Sequence, residues 1–307
     1  MRIGILSRNP TLYSTQRLVN AAHERGHRVE VIDTLSVTVH IGRTDAQPGK
    51  PQRLVGNAIG LAGTTLLPEF DALIPRIGTS VTFYGLAVVR QFEAMGVMMT
   101  ASSDAIARSR DKLQSLQLMV KDGLPIPRTA IIAQPDALYA AVEAIGGLPA
   151  VVKLIRGTQG RGVFLAHQLS TIATLLQRVG ELNRQAILQE FIAESRGQDM
   201  RLIIVGDRCV AAMERRAAPG DFRANLHRGG SATALEPDKS TVALAVAAAR
   251  AHGLGVAGVD LLSSKRGPLL LEVNSSPGLE GIESATGADV AGAIIDYVEK
   301  MAAVKRR

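Results

Sequence analysis

The chain has 307 residues, 46% of them hydrophobic, with no tryptophan, four tyrosines and six phenylalanines. That length exceeds one compact core and predicts two or three lobes with aliphatic interiors, and the shortage of aromatic rings argues against stacking platforms for single-stranded nucleic acid. The single cysteine, Cys209, excludes a disulfide framework or a cysteine-based zinc site within one chain, no apolar run is long enough for a membrane span, and a formal charge of +7 attracts acidic partners, although a solvated basic face with the tail Lys305-Arg306-Arg307 accounts for it equally well.

The N-terminal Met1-Arg2-Ile3-Gly4-Ile5-Leu6-Ser7 reads as a strand and not as a secretory signal, so a reducing, cytoplasmic setting is expected. Strands are predicted over residues 2–7, 28–33, 70–75 and 97–100, and helices over 11–25 and 80–95. This alternation predicts an open α/β sheet with parallel strands. Ser7-Arg8-Asn9-Pro10 lacks the glycines of a dinucleotide turn, which disfavours a Rossmann cofactor site. Residues 41–63, rich in Gly, Pro and polar groups, read as a loop excursion or a short hairpin. Ser102 or Ser103 caps one helix running through Asp111-Lys112 to about Asp122, stopped by Gly123.

A strand over 129–133, a helix over 135–145, and strands over 150–155 and up to Ala166 on either side of the loop 156–161 come next, followed by a helix to about Val179. Antiparallel strands are expected at 186–192, 199–205 and 209–215, then a polar loop over 218–230 and a helix over 237–252. Two apolar strands carrying Asp260 and Glu272, and a final helix over 288–301, complete the chain. With hinges near 100 and 185, the expected fold is α/β and α+β in three units. They are an N-terminal α/β domain (1–100), a central α+β subdomain with a glycine-rich flap (101–185), and a C-terminal antiparallel-sheet subdomain with a metal site (186–307).

Asp260, Glu272 and Asn274 offer three oxygen donors on the two late strands. Magnesium takes hard oxygens, with one or two carboxylates from protein and the rest from water and phosphate. Glu272 and Asn274 are two residues apart and share a strand face, while Val273 turns into apolar packing. A carboxylate inside so hydrophobic a run is costly unless a cation or donor compensates it. The loop Gly157-Thr158-Gln159-Gly160-Arg161-Gly162 lies between strands and is no Walker A loop, yet its glycines expose N–H groups as a phosphate flap requires. Lys153 lies upstream in Val151-Val152-Lys153-Leu154-Ile155, where it can reach phosphates. Glu190 and Phe191 end an apolar strand whose backbone can pair with an adenine edge. Asp199 can accept from ribose hydroxyls, and both acids read equally as surface residues of a hairpin. Arg215, Arg216, Arg223 and Arg228, with Asn225 and His227, form a basic loop suited to phosphate or carboxylate, with His227 as readily a structural donor as a base.

Taken in order, these blocks resemble the ATP-grasp superfamily and, within it, the RimK-type α-L-glutamate ligases. The likeness spans Ile5-Leu6-Ser7-Arg8-Asn9, Ile74-Pro75-Arg76-Ile77-Gly78, Ala107-Arg108-Ser109-Arg110-Asp111-Lys112, Gly220-Asp221-Phe222-Arg223-Ala224-Asn225-Leu226-His227-Arg228-Gly229-Gly230 and Glu272-Val273-Asn274-Ser275-Ser276-Pro277-Gly278. The resemblance implies that Lys112 and Lys153 meet nucleotide phosphates, Glu190 and Phe191 the adenine, and Asp199 the ribose. It puts Arg223 and Asn225 around the phosphates and acceptor as catalytic residues, and Asp260, Glu272 and Asn274 on Mg²⁺ or Mn²⁺, as two ions. It implies ATP-dependent activation of a carboxylate as an acyl phosphate that an amine then attacks, releasing ADP and phosphate. The partners it implies are L-glutamate and the C-terminal tail of small-subunit ribosomal protein S-six, with poly-α-glutamate as a further product and a homotetramer as the assembly. A small-molecule amino-acid ligase is the alternative, and a basic nucleotide- or RNA-binding module is a rival from another class. Arg161 departs from the aliphatic residue usual in the glycine loop.

Overall fold

The computed structural model describes residues 1–39, 55–56, 67–155, 162–181, 185–224 and 229–305. The first unit runs β1 (Arg2–Leu6), α1 (Tyr13–Glu24), β2 (Arg28–Ile32), β3 (Val37–Thr38), β4 (Val55–Gly56), β5 (Ala72–Pro75), α2 (Thr82–Ala94) and β6 (Met98–Met99). Its sheet is parallel, as the alternation predicts, and has the order β2-β1-β5-β6. Ile3 and Ile5 face α1 through Leu18 and Ala22, while Leu6 and Leu73 face Phe92 on the other side. β3 and β4 form a two-residue antiparallel pair; apart from 55–56, the expected excursion over 41–63 lies outside the described residues.

The single helix expected from Ser103 to Asp122 is two: α3 (Ser103–Arg110) and α4 (Lys112–Lys121). Asp111 sits between them in an extended conformation, φ −86° and ψ 102°, and its carboxylate accepts from the Gln114 N–H at 3.0 Å. Side-chain capping outcompetes helix continuity there, because a short Asp side chain can satisfy an N-terminal donor only when its own backbone leaves the helix. Lys112 thereby becomes the first residue of a new helix.

The central unit contains β7 (Thr129–Ala130), α5 (Leu138–Ala144), β8 (Ala150–Leu154), β9 (Val163–Ala166), α6 (Leu169–Glu181) and β10 (Ala186–Glu190). Its sheet order is β7-β10-β8-β9, antiparallel throughout. β10 was expected among the C-terminal strands. Its register partners are Ala150–Leu154 of β8, so it fills the middle of the central sheet. The apolar pattern that makes Ala186–Glu190 a strand says nothing of which sheet it joins, because strand pairing is a long-range choice.

The third unit follows with β11 (Gln198–Val205), β12 (Arg208–Arg216), β13 (Ser231–Ala234), α7 (Lys239–His252), β14 (Val256–Ser264), β15 (Gly267–Asn274), α8 (Glu280–Thr286) and α9 (Val290–Lys305). The antiparallel order is β13-β12-β11-β14-β15. Period-two alternation splits β11 cleanly: Leu202 and Ile204 face the alanines of α7, while Ile203 and Val205 pack toward α9 and the N-terminal sheet. Asp199 and Arg201 continue that second face beyond the apolar pair. α8, which the sequence pattern did not show, buries Ile282 against Ile294 and Ile295 of α9.

Candidate active site

β11, β14 and β15 lie side by side, and their register assembles one polar patch. Arg201 pairs with Asp260, Asp260 with Glu272, and Gly258 with Asn274. Residues directly opposite share a face, so Asp260, Glu272 and Asn274 are brought together, as the spacing predicts. Val273 is fully buried on the reverse side. The register slips between Asp260 and Leu261, a bulge next to the polar patch. Gly258 is held to glycine by packing, since a Cβ there would lie 2.8 Å from Pro277 Cβ.

Asp260 is 3% exposed and accepts from Arg201 Nε and Nη2 at 2.7 and 2.6 Å and from Arg215 Nη2 at 2.9 Å. Arg215 also donates twice to Asp199, at 2.7 Å each. The result is a linear chain, Arg201–Asp260–Arg215–Asp199, of two aspartates and two arginines. Burial raises the Asp260 carboxyl, but Arg201 and Arg215 outweigh it and hold it below the usual carboxylate range. Burial pushes Asp199 up to about 6 against the pull of Arg215. Asp199 is thus buried and ion-paired, and not the surface acid of a hairpin. Of the guanidiniums that balance the two aspartates, the sequence pattern passes over Arg201 and puts Arg215 in a basic ligand-binding loop, whereas Arg215 lies buried in β12, paired with Asp199 and Asp260. The available signal was Arg201 alternating with Asp199 on an otherwise apolar strand, a charge that needs a partner.

Lys153 approaches from the central sheet. Its ammonium donates to Gln189 Oε1 at 2.5 Å, and Gln189 Nε2 donates to Thr129 Oγ1 at 2.9 Å. Burial lowers Lys153 to about 8, with Glu272 and Asp199 pulling it back up and Lys112 pushing it further down. Lys112, Glu272 and Asp199 are thus close enough to Lys153 to act on its charge. Lys112 Nζ donates to the Ile155 carbonyl at 3.4 Å, at the entrance of the glycine loop. With the two aspartates ion-paired to Arg201 and Arg215, Lys112 and Lys153 are the cations near Glu272 that can meet an anionic ligand. Residues 156–161, Arg161 included, lie outside the described residues.

Glu190 ends β10 and is clamped by Arg128 (2.9 and 3.2 Å) and by Arg266 of the β14–β15 turn (2.6 Å). Burial raises its carboxyl, but the two arginines overcome this and hold it at about 2. Its side chain is therefore engaged, which leaves the backbone of Glu190 and Phe191 as the part able to read a base. Phe191 meets Phe222 edge to face at 6.3 Å. Arg223 forms a bidentate pair with Asp221 (2.8 and 2.9 Å), lies 5.5 Å from the Phe222 ring centre and donates to the Val163 carbonyl at 3.3 Å. It ties the polar loop to the strand leaving the glycine flap. Asn225, His227 and Arg228 lie outside the described residues.

Among the described residues no group of three or more His, Cys, Asp and Glu gathers to hold a metal. A cation on this face would have two carboxylates and the Asn274 amide, whose buried Nδ2 has no hydrogen-bond partner among the described residues. That set fits magnesium, which fills its remaining positions from water and phosphate. No helix among the described residues is long and apolar enough to cross a membrane.

A parallel N-terminal sheet followed by two antiparallel sheets, each with its own helices, is the architecture of an ATP-grasp ligase. The ATP-grasp ligase PsnB, complexed with a minimal precursor, Mg and ADP, superposes with a TM-score of 0.73 at 20% identity over 98% of each chain. A RimK domain ATP-grasp protein from Sphaerobacter thermophilus gives 0.70 at 21%, over 97% of this chain and 99% of the other. Residues 1–106 match the RimK PreATP-grasp domain and residues 109–298 the RimK-like ATP-grasp domain. A probable alpha-L-glutamate ligase of Aliivibrio fischeri is 51% identical over 306 residues, 100% of this chain and 98% of the relative. A probable alpha-L-glutamate ligase of Pseudomonas paraeruginosa is 52% identical over 300 residues, 98% of this chain and 96% of the relative. The chain belongs to the RimK-like ATP-grasp family and is an ATP-dependent ligase.

Proposed function

We propose that the chain joins the amino group of L-glutamate to an acceptor carboxylate, consuming ATP and releasing ADP and phosphate through an acyl phosphate. The observation that carries this reading is that Lys153 of the central sheet is electrostatically coupled to Lys112 and to Asp199 and Glu272, while the register of the C-terminal sheet sets Glu272 opposite Asp260 and Asn274 opposite Gly258. In this assignment Lys112, Lys153 and Arg223 hold phosphates, the Glu190–Phe191 backbone reads adenine, and Asp199 serves the ribose side. Asn225 assists Arg223 at the acceptor. Asp260, Glu272 and Asn274 hold Mg²⁺ or Mn²⁺, in the two-ion arrangement that the family likeness suggests. The ions would supply charge neutralisation for the transferred phosphoryl group. The chain's own contribution is to align two anionic reactants and screen their repulsion with fixed cations.

The curated relatives are named as glutamate ligases, and PsnB was captured with a peptide precursor. Both support glutamate as the amine and a peptide tail as the acceptor. A ribosomal-protein tail or a growing poly-α-glutamate chain suits the basic balance of the sequence, and we assign a homotetrameric assembly on the family likeness. Purified chain with ATP, glutamate and candidate acceptors should release ADP only when glutamate and acceptor are both present. Mass spectrometry should show increments of one glutamyl unit. Release of AMP and pyrophosphate, or ADP release indifferent to glutamate, would refute the proposal.

A further inference from the structure

Arg76 follows β5 directly, at the carboxyl end of the parallel sheet, the edge at which open α/β sheets take ligands. Its N–H bonds to the Leu6 carbonyl at 2.9 Å, fixing it beside the end of β1. The side chain is partly buried, and among the described residues its guanidinium makes one hydrogen bond, from Nη2 to the Pro277 carbonyl at 2.8 Å. Among the described residues no carboxylate pairs with it. Burial lowers its pKa to about 10 with no acid to draw it back, whereas Arg215 is raised by Asp260 and Asp199. A guanidinium has five N–H donors in a planar fork, and desolvating it without a counter-charge is costly.

Its position is tied to the active site by contact. Pro277 packs over Gly258, and Gly258 is the register partner of Asn274. Ser276 Oγ donates to the Pro75 carbonyl at 3.3 Å, which pins the same loop to the strand carrying Arg76. Arg110 holds the next turn, donating to the carbonyls of Ile77 and Gly78 and to Thr82 Oγ1. The fork is therefore fixed at the Asn274 end of the patch, on the N-terminal-domain side, while Lys153 comes from the central sheet.

Building on the ligase reading, we infer that Arg76 binds a carboxylate of the incoming amino acid that does not react. A guanidinium on the attacking carboxylate would withdraw electron density from the atom that must capture phosphorus. A spectator carboxylate has no such conflict and matches the fork bidentately. Glutamate carries two such groups, the α- and the γ-carboxylate.

Initial rates of ADP release for wild type, Arg76→Ala and Arg76→Lys provide the test. Arg76→Ala should raise the KM for glutamate at least about tenfold, the loss expected for a charge-assisted pair, with the KM for ATP unchanged. Arg76→Lys should fall between, keeping charge without the fork. Glutamine and isoglutamine, which lack the γ- and α-carboxylate respectively, identify the group held: discrimination against one of them should collapse in Arg76→Ala. Because the charge is uncompensated, the melting temperature of Arg76→Ala should equal or exceed that of wild type. An unchanged glutamate KM, or a rise confined to ATP, overturns the inference. If Arg76→Ala fails to fold, Arg76→Lys decides by the same rates. If wild type shows no glutamate-dependent ADP release, the ligase reading itself fails. Calorimetric titration with glutamate then decides the inference: binding lost in Arg76→Ala supports it, and no binding to wild type overturns it.

Discussion

Replacing Arg215 by methionine removes the cation shared by Asp199 and Asp260. Asp260 keeps both bonds from Arg201, so its loss is partial. Asp199, 7% exposed, loses both bonds from Arg215 and keeps only the more distant charge of Arg201 within the network. Breaking a buried pair by deleting one partner costs about 3–5 kcal/mol, chiefly because the surviving charge is stranded. In a chain of this length that should lower the melting temperature on the order of 10 °C. The penalty should also depend on pH in a defined direction. Burial already places the folded Asp199 carboxyl at about 6, above the unfolded value of about 3.9, so the folded state binds the extra proton between those limits. Stability from this group therefore falls as pH rises toward 6. Losing Arg215 extends that fall to higher pH, so the deficit should be smaller at about pH 5.5 than at about pH 7.5. Thermal and urea unfolding at the two pH values measure it. The double variant Asp199→Asn, Arg215→Met should recover much of the loss, since no charge is stranded. If the double variant is as unstable as the sum of the two single changes, the network is not held by mutual compensation and the reasoning fails.

Glu272→Gln should abolish ADP release while leaving the melting curve near wild type, because Glu272 sits outside the aspartate–arginine chain; Mn²⁺ titration by calorimetry should show weakened binding in the same variant. The free chain's affinity for an ATP analogue should fall as pH rises through about 8, where Lys153 loses its proton, and Lys153→Arg should flatten that profile. An equally steep profile in the arginine variant would dissociate it from Lys153. His252 is fully buried between Ser115 Oγ (2.8 Å) and the Ala248 carbonyl (2.8 Å), and burial lowers its pKa. The unfolded chain thus binds its proton first, so stability should drop as pH falls below about 6.5. In His252→Gln that part of the acid sensitivity should vanish from the unfolding curves.

Much of the molecule was legible before any coordinates. The two-residue spacing of Glu272 and Asn274, with Val273 between them, needs only the strand period to put both polar groups on one face. The alternation of strands and helices up to residue 100 was enough for a parallel sheet. The break at Asp111 was missed because helix periodicity runs through it, and only the choice between capping and continuing separates the two outcomes.

What the sequence by itself determined was local: which segments are strands, which faces of them are polar, and that Asp260 and Lys153 sit where a charge needs compensation. Those conclusions follow from backbone periodicity and desolvation, both properties of neighbouring residues. Tertiary structure alone decided that Arg201 and Arg215 supply the compensation for the aspartates, that β10 belongs to the central sheet, that Arg128 and Arg266 engage Glu190, and that Arg76 stands beside Pro277 with no carboxylate paired to it among the described residues. Each depends on register and packing between segments far apart in the chain, where many pairings satisfy the same local pattern and only the assembled core selects among them.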